Sequence, residues 1–289
     1  MATLPSDLTC IVISYAIDFS RLKRLIELSD VQWTDAFKTL LLYSNCDIQK
    51  TFWCVSCIQG DIKACEALQE RIIVTKYNAV GALMVACEYG HLDSAKWLTK
   101  TFGLTKADVR RDDQEGFLEA CARGHLNFVK WFADEFNWQR EDLHYNEEFT
   151  AACNGGHLDV AQWIVETFGL AVHNLKHDIF FTFRWTCFGG HLHVAEWLRT
   201  SFGLSKHDIS SQNHLVFRTS CSSGNLAVAQ WLAETFALSA TDARAHDNDA
   251  VKMAYIRDQM HVVDWLKEKF SIPDQEIAKA VLDFRSSFE

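Results

Sequence analysis

Four times the chain sets a cysteine four residues ahead of a histidine, at Cys87/His91, Cys121/His125, Cys153/His157 and Cys187/His191, and Cys54-Val-Ser-Cys57 adds a C-x-x-C. Thiolate and imidazole at short spacing are zinc donors, and ten cysteines in one chain could equally pair as disulfides. The order of residues argues against both. A glycine stands directly before each of these histidines, so a chain turn splays the pair apart, whereas zinc needs converging ligands, normally four. Six of the cysteines, Cys57, Cys87, Cys121, Cys153, Cys187 and Cys221, recur at one position of a repeat. Equivalent positions on stacked helices lie about 8–10 Å apart, beyond the ~7 Å between Cα atoms that a disulfide spans. They read as a ladder of reduced, buried thiols, with the histidines hydrogen-bonding backbone in the turns. No metal and no cofactor is expected.

Other chemistry is equally unsupported. The chain contains no G-x-x-x-x-G-K-S/T phosphate loop, no G-x-G-x-x-G and no G-x-S-x-G nucleophile turn. Nearly all of its serines, histidines and aspartates fall at repeated turn or cap positions, so no nucleophile stands beside a base. The expectation is a protein without a catalytic site.

What positions these residues is a repeat. Glycine recurs at 60, 90, 124, 156, 190 and 224, with Asp258 in the same slot last, at spacings of 30, 34, 32, 34, 34 and 34. Two residues after the slot comes Ile62, Leu92, Leu126, Leu158, Leu192, Leu226 or Met260, and five after it a small or branched residue such as Ala161 or Val263. Seven after it stands Trp97, Trp131, Trp163, Trp197, Trp231 or Trp265, and twelve after it Phe102, Phe136, Phe168, Phe202, Phe236 or Phe270. A Leu, Phe or Ile follows each of these tryptophans, and offsets of 2, 5, 8 and 12 share one face of a 3.6-residue helix. Seven and three residues before the slot lies a second apolar pair, Phe149/Cys153, Phe183/Cys187 and Phe217/Cys221 among others. A spacing of four that ends on glycine marks a helix with a C-terminal stop. Each unit is therefore helix, tight turn, helix. A period near 33 residues means stacked units that bury their apolar faces only against each other.

The glycine-polar-leucine turn leading into V-A-x-W-L resembles the G-H-L-E-V-V-x-L-L of ankyrin repeats, over roughly residues 50 to 272. Two features depart from that family. The T-P-L-H turn is missing, since the only prolines are Pro5 and Pro273. The hairpin loop is replaced by F-G-L and then Ser/Thr-x-x-Asp, at Thr105/Asp108, Ser205/Asp208 and Ser239/Asp242. That spacing is a capping signature, so a short third helix is predicted where ankyrins carry hairpin fingers. The chain resembles the divergent ankyrin arrays of large DNA viruses of amoebae and of some protists. The resemblance implies an all-α, ankyrin-type helical solenoid of about seven repeats over residues 46–289, with residues 1–45 as a non-repeat N-terminal cap. It also implies an intracellular protein-interaction module.

Composition agrees. With 48% hydrophobic residues, twenty Phe and ten Trp, there is material for a continuous inter-repeat core. A net charge of −10 argues against nucleic acid as partner, because binders of phosphate backbones carry a basic footprint. No apolar run reaches the ~18–20 residues of a membrane span, and the start MATLPSDL is no signal peptide. The expected setting is soluble and intracellular.

The first 45 residues fit two readings. Leu4, Pro5, Leu8, Ile11, Leu22 and Leu25, followed by Trp33, resemble an F-box, whose helices dock on a Skp-family adaptor of a ubiquitin ligase. The same residues would serve as the capping unit that shields the first repeat of a solenoid. An F-box packed on the array would do both.

The partner-facing residues should be those that packing does not dictate. The ankyrin resemblance implies that first helices line the concave, partner-facing side. There one unit departs from the rest, with Phe181, Arg184, Trp185 and Phe188 outside its Phe183/Cys187 core pair. Exposed aromatics with arginine are the composition of interface hot spots. Arg218, Tyr89 and Arg123 on other units would extend that patch. The expected function is non-enzymatic protein recognition, delivering captured proteins to a ubiquitin ligase if residues 4–33 are an F-box. The alternative is a structural component that self-associates or binds a larger particle.

Overall fold

A computed structural model of the chain describes residues 60–70, 73–110, 115–144, 146–170 and 178–286, together with Trp53 and Ser56. Among the described residues every regular element is helical, so the protein is all-α. No described helix is long and apolar enough to cross a membrane. Residues 1–45, with the F-box-like Leu4, Pro5, Leu8, Ile11, Leu22 and Leu25, lie outside the described residues, as do Cys54 and Cys57.

The chain divides into two compact units between Phe117 and Leu118. The first holds α1 (Ile62–Gln69), α2 (Lys76–Tyr89), α3 (Leu92–Phe102) and α4 (Lys106–Val109), and the boundary falls inside α5 (Glu115–Ala122). The second continues with α6 (Leu126–Glu135), a 3-10 turn at Arg140–Asp142, α7 (Glu147–Asn154), α8 (Leu158–Phe168), α9 (Asp178–Phe188) and α10 (Leu192–Phe202). It ends with α11 (Lys206–Ser222), α12 (Leu226–Thr235), α13 (Ala240–Ala243), α14 (Ala245–Ile256), α15 (Met260–Phe270) and α16 (Asp274–Ser286).

Within the second unit α7, α9, α11 and α14 pack one on the next, each also against the helix that follows its turn. The aromatic rows join successive pairs. Phe149 meets Trp197 at 6.2 Å, Phe183 meets Trp231 at 6.2 Å and Phe217 meets Trp265 at 6.3 Å, so the same contact recurs along the chain. Each tryptophan also lies edge-on to the phenylalanine five residues later, as in Trp163 to Phe168 at 5.6 Å. Offset and edge-to-face pairs of this kind add about 0.5–1.5 kcal/mol beyond the area they bury. The tryptophans are half-buried, and the phenylalanines carry the deeper core.

The cysteine row is core. Cys87, Cys121, Cys153, Cys187 and Cys221 are fully buried. Cys87, Cys153, Cys187 and Cys221 are unbridged thiols, and burial pushes all four well above the ordinary thiol range. They act as small apolar side chains.

Two kinds of turn punctuate the units. In the turn between the paired helices, Gly156 sits at φ 80, and a Cβ there would lie 2.4 Å from Nδ1 of His191 in the next turn. Left-handed backbone and close approach both demand glycine. Burial holds the His191 imidazole below its ordinary pKa, against the pull of the Asn154 backbone carbonyl that its ring hydrogen-bonds. The turn after the second helix needs only the left-handed backbone. Gly169 at φ 62 has open space where a Cβ would stand, and Asn137, Ala237 and Ser271 adopt φ 48, 46 and 52 in the equivalent place.

The capping signatures form helices as the spacing predicts. At α4 the Asp108 carboxylate accepts from the Thr105 backbone N–H at 2.9 Å and its hydroxyl at 2.6 Å. Hydrogen bonds from Lys76 and Thr105 hold Asp108 at a pKa of about 2. Ser239 and Asp242 close the same box at α13. Gln139 and Asp142 close one too, without the hydroxyl that would reveal it in the sequence. Ser205 differs in outcome. Its helix continues to Ser222 instead of stopping after one turn, and His214, at a left-handed φ of 57, marks a break within it.

Candidate functional site

Helix α9 carries two unlike faces. Ile179, Thr182, Phe183, Thr186 and Cys187 are buried on one side. Residues 181, 184, 185 and 188 follow the i, i+3, i+4, i+7 spacing of a single stripe on the other. Phe181 is 49% exposed and Trp185 39%, while Arg184 and Phe188 are half-buried. The neighbouring residue Phe180 is half-buried as well.

The four side chains brace each other. Trp185 lies edge-on to Phe181 at 6.0 Å and to Phe188 at 5.3 Å. The Arg184 guanidinium stands 5.4 Å from the Phe181 ring centre and 5.1 Å from that of Trp185. Cation–π contacts at such exposed sites contribute about 0.5–1 kcal/mol. Among the described residues Arg184 meets no carboxylate. At the positions equivalent to Trp185, the flanking helices α7 and α11 carry only Ala151 and Thr219, so the aromatic ridge belongs to one unit. A rigid pair of rings beside a stacked guanidinium offers a protein partner large contact area at low entropic cost.

Arg218, Arg123 and Tyr89, also singled out by sequence, make other contacts. Arg218 is 7% exposed and donates to the Asp249 carboxylate of α14, which Lys252 also approaches at 3.3 Å. It clamps α11 to α14 instead of standing on the surface beside the aromatics. Arg123 is exposed in the turn after α5 and reaches Glu119 of that helix at 3.4 Å. Tyr89 belongs to the first compact unit, where its ring stacks on His91 at 6.3 Å. The structure thus gathers Phe181, Arg184, Trp185 and Phe188, and gives Arg218 a structural partner.

One feature lay outside the sequence reading. Tyr255, Met260 and Leu282 are exposed around a groove of 460 Å³ that Val263, Ile277 and Val281 also line. A signal existed in the sequence, because Tyr255 stands where every preceding unit from Trp53 onward has cysteine, and Met260 where all but the first have leucine. Among the described residues no group of three or more His, Cys, Asp or Glu side chains could hold a metal ion. Comparison with models of known protein families and with curated protein sequences finds no match.

Proposed function

We propose that the chain is a non-enzymatic protein-recognition module, an ankyrin-type helical solenoid of about seven units that binds a protein partner on the outer face of α9. The observation that carries this reading is the exposed, mutually braced set Phe181, Arg184, Trp185 and Phe188 on one helix. Helix-pair stacking, recurrent Phe–Trp contacts and the turn glycines support the repeat architecture. In the fuller form of the reading, residues 4–33 act as an F-box and bring the captured protein to a Skp-family adaptor. The test is affinity purification with the full chain and its Trp185→Ala variant as baits. A partner retained by the first and lost from the second, at equal thermal stability, supports recognition through α9. Binding of a purified Skp-family adaptor, abolished by Leu8→Asp, supports the adaptor role.

The exposed apolar groove at Tyr255, Met260 and Leu282 favours a second reading, self-association or docking on a larger particle. Light scattering over a concentration range separates the two, since self-association raises the apparent mass with concentration.

A further inference from the structure

Arg184 and Arg218 occupy the same place in successive units, each six residues before the slot at Gly190 and Gly224. The second shows what this position does when completed within the chain. The Arg218 guanidinium donates to the carboxylate of Asp249, which stands nine residues before the next slot, on the following first helix. The residue that should answer Arg184 in the same way is Leu215 on α11, and it has no carboxylate. Arg184 is therefore a clamp position whose acid is missing, its guanidinium stacked against Phe181 and Trp185. Stacking on aromatic rings orients the planar fork and leaves its N–H edges to donate, the arrangement that reads carboxylates in a bidentate way.

Resting on the reading of α9 as a protein-binding face, we infer that the partner supplies this acid: the site takes a peptide segment carrying Asp or Glu beside a large apolar residue, the carboxylate on Arg184 and the apolar side chain against Phe181, Trp185 and Phe188. Charge supports the choice. In a chain of net charge −10, Arg123, Arg218 and Arg244 close on carboxylates, whereas Arg184, like Arg199 and Arg257, meets none among the described residues, and of these three only Arg184 is stacked on aromatic rings. Asp249 identifies a carboxylate, in place of a neutral acceptor, as the group this position engages in its paired form.

The experiment uses a phage-displayed library of randomised peptides selected on the full chain. Peptides that lose binding to Trp185→Ala should carry Asp or Glu beside a large apolar residue. Changing that acid to its amide should weaken binding to the native chain about tenfold, as should Arg184→Met, and the two changes together should cost little more than either. Leu215→Asp, which installs the intramolecular acid, should weaken the same peptides similarly while leaving the melting temperature in place. Trp185-dependent peptides with no acid preference, or an acid-to-amide effect that persists undiminished in Arg184→Met, overturn the inference and leave α9 as a binding face. A selection that yields no peptide sensitive to Trp185→Ala overturns the reading of the face itself.

Discussion

Arg184 and Arg218 share a helix position, a repeat register and a residue type, yet one lies on a surface ridge and the other is buried in an ion pair. The difference comes from the neighbouring unit. Asp249 draws Arg218 inward and Lys252 adds a second cation to the same carboxylate. Leu215 gives Arg184 nothing to bind, and the rings of Phe181 and Trp185 hold it at the surface. For these two arginines, the fate of the side chain is decided by what the following helix α11 or α14 presents to it. On the proposed reading, an arginine left unanswered among aromatics is where the protein engages another molecule.

The largest effect is expected at the buried Arg218–Asp249 clamp. Arg218→Met should destabilise the protein by about 3 kcal/mol, because half-buried Asp249 is left with Lys252 alone to compensate it. Arg184→Met should cost no more than about 0.5 kcal/mol, the scale of an exposed cation–π contact. Urea unfolding of the two variants measures both. Similar losses would show that the two arginines are not in different environments.

A carboxylate that is only half-paired sharpens the point. Glu148 is fully buried, and one oxygen accepts from the His144 backbone N–H at 3.0 Å while the other has no partner. Burial raises its pKa above the ordinary 4.5. A raised carboxyl contributes its full stability below the unfolded value and loses it as pH rises through the folded one. Glu148→Gln should therefore stabilise at pH 7 by about 1–2 kcal/mol, the scale of an uncompensated buried polar group. The gain should shrink on acidification and disappear below about pH 4.5, the value at which the carboxyl is neutral in both states. Denaturation midpoints at pH 7 and pH 4 test the sign.

The turns after the second helices give a smaller effect. Ala237 holds φ 46 where Gly169 and Gly203 hold φ 62 and 66. Ala237→Gly should stabilise by roughly 0.5–1 kcal/mol by relieving a left-handed alanine. No gain in melting temperature would mean that the alanine conformation is not strained.

Much of this architecture was legible from spacing. Helix pairs, the buried cysteine row and the Thr105 and Ser239 caps follow from local periodicity, which one chain segment displays by itself. The role of Arg218 was not legible, because its partner Asp249 lies 31 residues on, and nothing local marks that aspartate as inward-facing. The run from Ser205 to Ser222 was missed for a related reason. The capping box announces a helix start, but nothing in Lys206–Ser222 announces that the helix runs on past a left-handed break at His214. On α9, the stripe of Phe181, Arg184, Trp185 and Phe188 could be set apart from Phe183 and Cys187 by helical spacing alone.

The central claim is that α9 turns a binding surface outward instead of a second core face, and Trp185→Ala tests it most directly. Thermal stability and affinity for a protein or peptide retained by the native chain are measured on the same variant. The expected result is a stability change below about 1 kcal/mol together with a loss of about 2 kcal/mol or more in binding. A stability loss of about 3 kcal/mol or more with no separable loss of binding, the signature of a core tryptophan, would contradict it.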